Sequence, residues 1–187
     1  MTSELVWIIA RSTATASLVA LTLSVLSGMA LRSGALGWLS HNRGIRALHD
    51  FASLIWLPLA TAHILAILAD PYAKVGVLDL IVPFRVSYGR AAVGLGTIAA
   101  QLFSVVLVST WLRARLSQRR WLLLHRLSYV AFVATFAHGL LSGTDFAQPL
   151  IAASAWVVAL ALCLAGLRRL TTARRQSPAR SRTVAIP

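Results

Sequence analysis

The chain alternates long apolar runs with short polar breaks, and nearly all of its arginines fall in the breaks. A helix needs about 20 apolar residues to cross roughly 30 Å of hydrocarbon. By that measure the pattern predicts five transmembrane helices, near residues 6–31, 48–69, 90–112, 121–141 and 148–167. Ser27-Gly28, Ser33-Gly34 and Gly37 mark the exit from the first run. Asp70-Pro71 ends the second, because proline cannot continue a helix and restricts the residue before it. The stretch Val75–Phe84 is apolar but too short to span, so it is expected to lie in the outer interface or to cap the bundle. Ser142-Gly143-Thr144-Asp145 makes a short external turn. The fold class that follows is an all-α integral membrane protein, a bundle of about five transmembrane helices. Residues 1–168 form this membrane domain, and residues 169–187 form a basic cytoplasmic tail whose Arg, Ser, Thr and Pro read as disordered.

Composition excludes a soluble domain: 58% of the 187 residues are hydrophobic and 12% charged, where globular domains carry about 25% charged residues. The net charge of +13 does not indicate a nucleic-acid partner, because the arginines flank the spans, where they meet anionic lipid headgroups. Of the 18 basic residues, fourteen lie on one side of the membrane: in the first and third connections, at Arg126 and in the tail. Lys74, Arg85 and Arg90 lie on the other side, and Arg11 falls within the first span. The positive-inside rule then puts the N-terminus outside the cell membrane and the C-terminus in the cytoplasm. The first span is expected to be retained: Glu4 precedes it, no basic stretch does, and its apolar run is longer than a signal peptide needs. A lone Cys163 excludes an intramolecular disulfide.

Four of the five histidines fall inside the expected spans. His49 and His63 are 14 residues apart in the second, and His125 and His138 are 13 apart in the fourth. Ionisable groups in a membrane are costly and mark function. Both helices run from cytoplasm to outside, so His49 and His125 share an inner depth and His63 and His138 an outer depth. The levels are separated by about 20 Å along the helix axes. Imidazole is an axial ligand of haem iron, and a haem between two helices would bury its apolar ring. Two haems stacked in this way would form an electron path across the bilayer. Fourteen residues return within about 40° of the starting face, whereas thirteen leave His138 about 140° from His125. The fourth helix therefore needs a distortion, or haems approached from different sides. The plainer alternative is that these histidines are interhelical hydrogen-bonding residues. His41, in a loop, carries no such signal.

Haem propionates are anionic and suit arginine. Arg46 and Arg126 flank the inner pair, and Arg85 and Arg90 are available outside; the plainer alternative is that all four are ordinary topology determinants. Trp56 lies seven residues from both His49 and His63, either between two haems or as a bulky core spacer. No nucleophile–His–acid set, phosphate loop or cysteine cluster stands out.

At Arg46-Ala47-Leu48-His49 with Ala62-His63, and at Leu124-His125-Arg126-Leu127-Ser128-Tyr129 with His138-Gly139-Leu140-Leu141-Ser142-Gly143-Thr144-Asp145, the chain resembles the ferric reductase-like transmembrane domain family. That family includes the membrane parts of ferric reductases and NADPH oxidases and the haem-binding subunit of a bacterial methionine-sulfoxide reductase system. The resemblance covers roughly residues 5–168. It implies that His49, His63, His125 and His138 ligate two haems of the b type. The oxidases carry a C-terminal flavin and nicotinamide region, whereas about twenty polar residues follow the last span here. Electrons are therefore expected from a separate flavoprotein or from quinol, making the chain an oxidoreductase component. They would leave near His63 and His138, for ferric iron or for a periplasmic acceptor protein. The rival from another class is a haem-free scaffold or transporter component.

Overall fold

The structure, a computed structural model, describes residues 3–32, 42–87 and 89–175. Five α-helices make up most of it: α1 (Ser3–Leu31), α2 (Arg43–Ala69), α3 (Arg90–Trp111), α4 (Gln118–Ser142) and α5 (Pro149–Arg175). Short 3₁₀ turns at Val77–Leu80, Arg113–Arg115 and Thr144–Ala147 join them, and there is no strand among the described residues. The chain is an all-α membrane protein. By length and composition α1, α2 and α3 can each cross a bilayer. α4 is of similar length but carries Arg119, Arg120, His125, Arg126 and His138, which lower its apolarity. The apolar stretch of α5, Pro149–Leu164, is shorter. Three of the five expected spans thus meet the criterion, and α4 earns its place by packing along α3.

The helices outrun the apolar runs because arginine is itself a good helix former. α2 starts at Arg43, five residues before the expected 48, where the Asn42 side chain accepts from the backbone N–H groups of Gly44 and Ile45 at 2.8 and 3.3 Å. Its end at Ala69 is where Asp70-Pro71 requires it. α5 runs on from the expected 167 to Arg175, with no proline before Pro178. The first seven residues of the tail expected to be disordered, 169–175, are thus helical, and 176–187 lie outside the described residues, as do Ser33-Gly34, Gly37 and His41.

α1 packs along α2, and α3 along α4. α1 also touches α4, whereas α2 and α4 make no comparable backbone approach to each other. The buried positions are mostly small: Ala10, Ser17, Ala20 and Ser24 on α1, Ala52 and Ala66 on α2, Ala92, Thr97 and Ala99 on α3, and Ala131 and Ala134 on α4. Lipid is as apolar as leucine, so membrane helices associate by close approach over small residues. Large apolar side chains face outward instead, Leu54 at 73% and Phe51 at 64% exposure among them. Midway along the bundle Leu21, Val25, Phe103, Ala131 and Phe132 form a core against which Trp56, Tyr129 and Phe136 pack. Ser24 Oγ and Ser53 Oγ meet at 2.7 Å and tie α1 to α2.

The segment between α2 and α3 does more than cap. Thr97 Oγ1 donates to the Asp79 carbonyl at 2.7 Å, and Gln101 Nε2 donates to the Ile81 carbonyl at 2.7 Å. Thr97 and Gln101 lie two and three turns into α3, so the segment dips alongside that helix. Irregular backbone at membrane depth survives only where its polar groups are satisfied internally, which these two side chains do. Asp79 is buried, accepts from the Gly76 N–H at 2.8 Å and pairs with Arg85 at 3.1 Å. Phe84 closes the segment against Gly94, where a methyl group would overlap its ring. Gly94→Ala is therefore expected to loosen residues 76–84 while leaving the four histidines in place. Hydrogen exchange would show faster exchange in that segment alone; an unchanged profile would mean that the Phe84 ring shifts without cost.

Candidate functional site

All four intramembrane histidines are half-buried and meet in the pairs that their depths imply. The His49 and His125 rings have centroids 6.4 Å apart with planes at 80°. The His63 and His138 rings have centroids 6.3 Å apart with planes at 63°. α2 and α4 therefore run parallel and face each other across two levels. α4 is unbroken from Gln118 to Ser142, so the 13-residue spacing is met without the helix distortion considered above. Its two rings find support from different sides instead, His138 from α3 and His125 from within α4.

Three of the rings are oriented by the main chain. His49 Nδ1 donates to the Ser24 carbonyl at 2.8 Å, His63 Nδ1 to the Ala10 carbonyl at 2.8 Å, and His138 Nδ1 to the Ala92 carbonyl at 2.7 Å. A carbonyl carries no proton, so Nδ1 must be the protonated nitrogen in each. A neutral ring then keeps its lone pair on Nε2, the arrangement that second-shell hydrogen bonds impose on metal-binding histidines. His125 differs: its Nδ1 is buried without a hydrogen-bond partner, and its ring stacks on Trp121 at 5.0 Å and 19°.

Two glycines give the imidazoles access to these carbonyls. A Cβ on Gly28 would stand 3.0 Å from His49 Cε1, and one on Gly96 would stand 2.9 Å from His138 Nδ1. Each glycine follows its acceptor by four residues, Ser24 to Gly28 and Ala92 to Gly96. Residues i and i+4 lie one above the other on a helix, with Cβ tilted toward the N-terminus, so a side chain there would cover the carbonyl. The residue four after Ala10 is Ala14, again small.

The other expected site residues are dispersed. Arg46 and Arg126 are exposed near the His49/His125 level. Arg85 pairs with Asp79, and Arg90 Nε donates to the Phe84 carbonyl at 2.5 Å. Trp56 stands between the levels, packed on Phe103 at 4.4 Å between centroids. Sequence reasoning missed Gly28 as a ring contact, Gly96, and the three carbonyls, which leave no mark on residue identity. Trp121 was within reach, since it lies one turn from His125 on the same face.

These pairs fit a haem better than a bare metal ion. A metal–imidazole bond is about 2 Å and the ring centre lies about 1.1 Å beyond the nitrogen, so two imidazoles on one iron have centroids roughly 6.2 Å apart. Both pairs meet that spacing. No group of three or more His, Cys, Asp or Glu side chains occurs among the described residues. An ion would lack ligands at either pair, whereas a porphyrin brings its own equatorial nitrogens and needs two axial ones.

Fold and site together define a helical membrane protein with two bis-histidine levels. The chain belongs to the ferric reductase like transmembrane component family, whose model matches residues 13–136. The match takes in α1 from Thr13 onward, α2, α3 and most of α4, including His49, His63 and His125, and ends two residues before His138. Membership points to a role in transmembrane electron transfer, and such domains generally bind haem. No curated relative and no solved structure matches the chain. Gly96→Ala is expected to displace His138 from the Ala92 carbonyl and to lower whatever haem content the purified wild-type protein shows. Gly139→Ala is the control, since a methyl there meets only ordinary contacts beyond 3.5 Å. Equal haem in both variants would exclude the role given to Gly96.

Proposed function

We propose that this chain binds two b-type haems, one at each level, and passes electrons across the membrane from a cytoplasmic-side donor to an extracytoplasmic acceptor. The observation that carries the reading is the pair of facing imidazoles at two depths, each pair at the centroid spacing of a shared iron. Bound haem would supply a one-electron carrier within the bilayer. The chain's own residues do the rest. His49, His63, His125 and His138 would hold the haems through Nε2, with the proton kept at Nδ1 where a carbonyl accepts it, at His49, His63 and His138. Trp56, Phe103 and Phe132 form an apolar layer between the levels that keeps water out. Arg46 and Arg126, exposed beside the His49/His125 level, would meet the propionates of that haem, whereas Arg85 and Arg90 are held by Asp79 and the Phe84 carbonyl.

The donor in this proposal is a flavoprotein or a quinol at the inner level, and the acceptor is ferric iron or a periplasmic redox protein at the outer. The orientation rests on the excess of arginine beside the His49/His125 level, which assigns that level to the cytoplasmic leaflet.

The detergent-purified protein is expected to show a Soret band, sharp α and β bands on dithionite reduction, and about two haems per chain. His63→Ala or His138→Ala should each remove the outer haem, and His49→Ala or His125→Ala the inner one. A colourless protein from cells well supplied with haem would sink the redox reading and leave the five-helix architecture standing. For orientation, Cys163 would first be replaced by serine. A single cysteine at Thr144 should then react with an impermeant maleimide on intact cells, and one at Ser117 only after permeabilisation; the reverse pattern would invert the direction of electron flow.

A further inference from the structure

Three of the four imidazoles are pinned by a hydrogen bond to a main-chain carbonyl, and His125 is not. The buried side-chain nitrogens without a partner, among the described residues, are His125 Nδ1 and Trp121 Nε1, on neighbouring rings. Trp121 stacks on His125 at 5.0 Å and 19°. The Arg113 guanidinium lies 4.3 Å over the Trp121 ring. Arg113 is exposed at the inner end of the bundle, so a continuous stack leads inward from Arg113 through Trp121 to His125, with His49 beyond.

An imidazole held only at Nε2 turns freely about the metal–nitrogen axis, because the terminal torsion of histidine is broad. A carbonyl bonded to Nδ1 removes that freedom at His49, His63 and His138. At His125 the flat face of Trp121, stacked at 5.0 Å, stands in place of such a carbonyl. Trp121 is itself held by faces rather than by a hydrogen bond: His125 on one ring contact and a cation on another.

We propose that Trp121 is the positioning residue of the inner level, fixing the plane of His125 by stacking, with Arg113 clamping it. The proposal rests on the haem reading above. It gives Trp121 a specific consequence, since the planes of His49 and His125 stand at 80°. A ferric haem between nearly perpendicular imidazoles gives a more anisotropic low-spin resonance than one between parallel rings. The inner resonance is therefore set by Trp121, while the outer one, with both rings bonded to carbonyls, is independent of it. The His125 N–H, without an acceptor, would make that ligand less basic than its carbonyl-bonded counterparts, and a ring released from the stack could turn toward an acceptor, so the inner midpotential is expected to shift with the contact.

The test is electron paramagnetic resonance of the oxidised full chain, with potentiometric titration alongside. The inner signal is assigned as the one lost in His49→Ala. Trp121→Leu keeps bulk but not the stack, and is expected to shift the inner resonance and midpotential while leaving the outer ones at wild-type values. Trp121→Phe retains the stack without the N–H and should restore both. Arg113→Gln, a surface change that spares the fold, should shift the inner resonance in the direction of Trp121→Leu by a smaller amount. Unshifted inner signals in Trp121→Leu and Arg113→Gln, with haem present, would overturn the proposal and leave the haem reading intact. Should Trp121→Leu not fold, the Arg113→Gln result decides. A wild-type protein without haem would overturn both together.

Discussion

A histidine buried in hydrocarbon brings an N–H that must find an acceptor, and most of this bundle is arranged around that demand. Membrane helices use their carbonyls internally, yet each carbonyl oxygen has a second lone pair. Ser24 and Ala10 on α1 and Ala92 on α3 offer theirs to His49, His63 and His138. For an imidazole on one helix to reach a carbonyl on the next, the backbones must approach closely. That explains why α1 against α2 and α3 against α4 are the intimate pairs, lined by alanine, serine and glycine. It also explains why α2 and α4 can stand apart. Each is held from behind by its own partner helix, and the histidines project across the space between them.

Because the rings are tethered from behind, the spacing along α4 matters less than an ideal helix suggests. Thirteen residues turn His138 about 140° from His125, which looks incompatible with one facing surface. α4 meets this by giving its two rings different supports, α3 for His138 and Trp121 for His125, while both α2 rings lean on α1. The two levels therefore differ in kind. Asymmetry of this sort follows from the spacing itself, since two residues on different faces of α4 cannot lean on the same neighbour.

Much of the fold was legible in the hydropathy pattern, and the parts that were not have physical reasons. Five helices and the break at Asp70-Pro71 followed from apolar runs and proline chemistry. The ends drifted by several residues because arginine both terminates an apolar run and propagates a helix. The depth-matched pairing of His49 with His125 and of His63 with His138 was readable from spacing and direction together. The Val75–Phe84 segment was recognised as too short to span, but its descent along α3 depends on Thr97 and Gln101 meeting its carbonyls, which no local pattern reveals. Nor did residue identity reveal the acceptors of the imidazole protons, because every residue has a carbonyl. Their trace in the sequence is indirect, a glycine four positions after Ser24 and another four after Ala92.

α4 is the helix in which hydropathy and chemistry conflict. It falls short of the apolar criterion because it carries His125, Arg126 and His138 together with the arginines at its start. A bilayer tolerates such residues only where neighbouring groups satisfy them. α4 is covered along one side by α3 and touched by α1, and its residues Ala131, Phe132 and Ala134 are buried. Its stability in the membrane is thus borrowed from the packing that the histidines organise. Apolarity alone passes over the helix that holds half of the candidate ligands, because His125 and His138, which form the ring pairs, are among the residues that lower it.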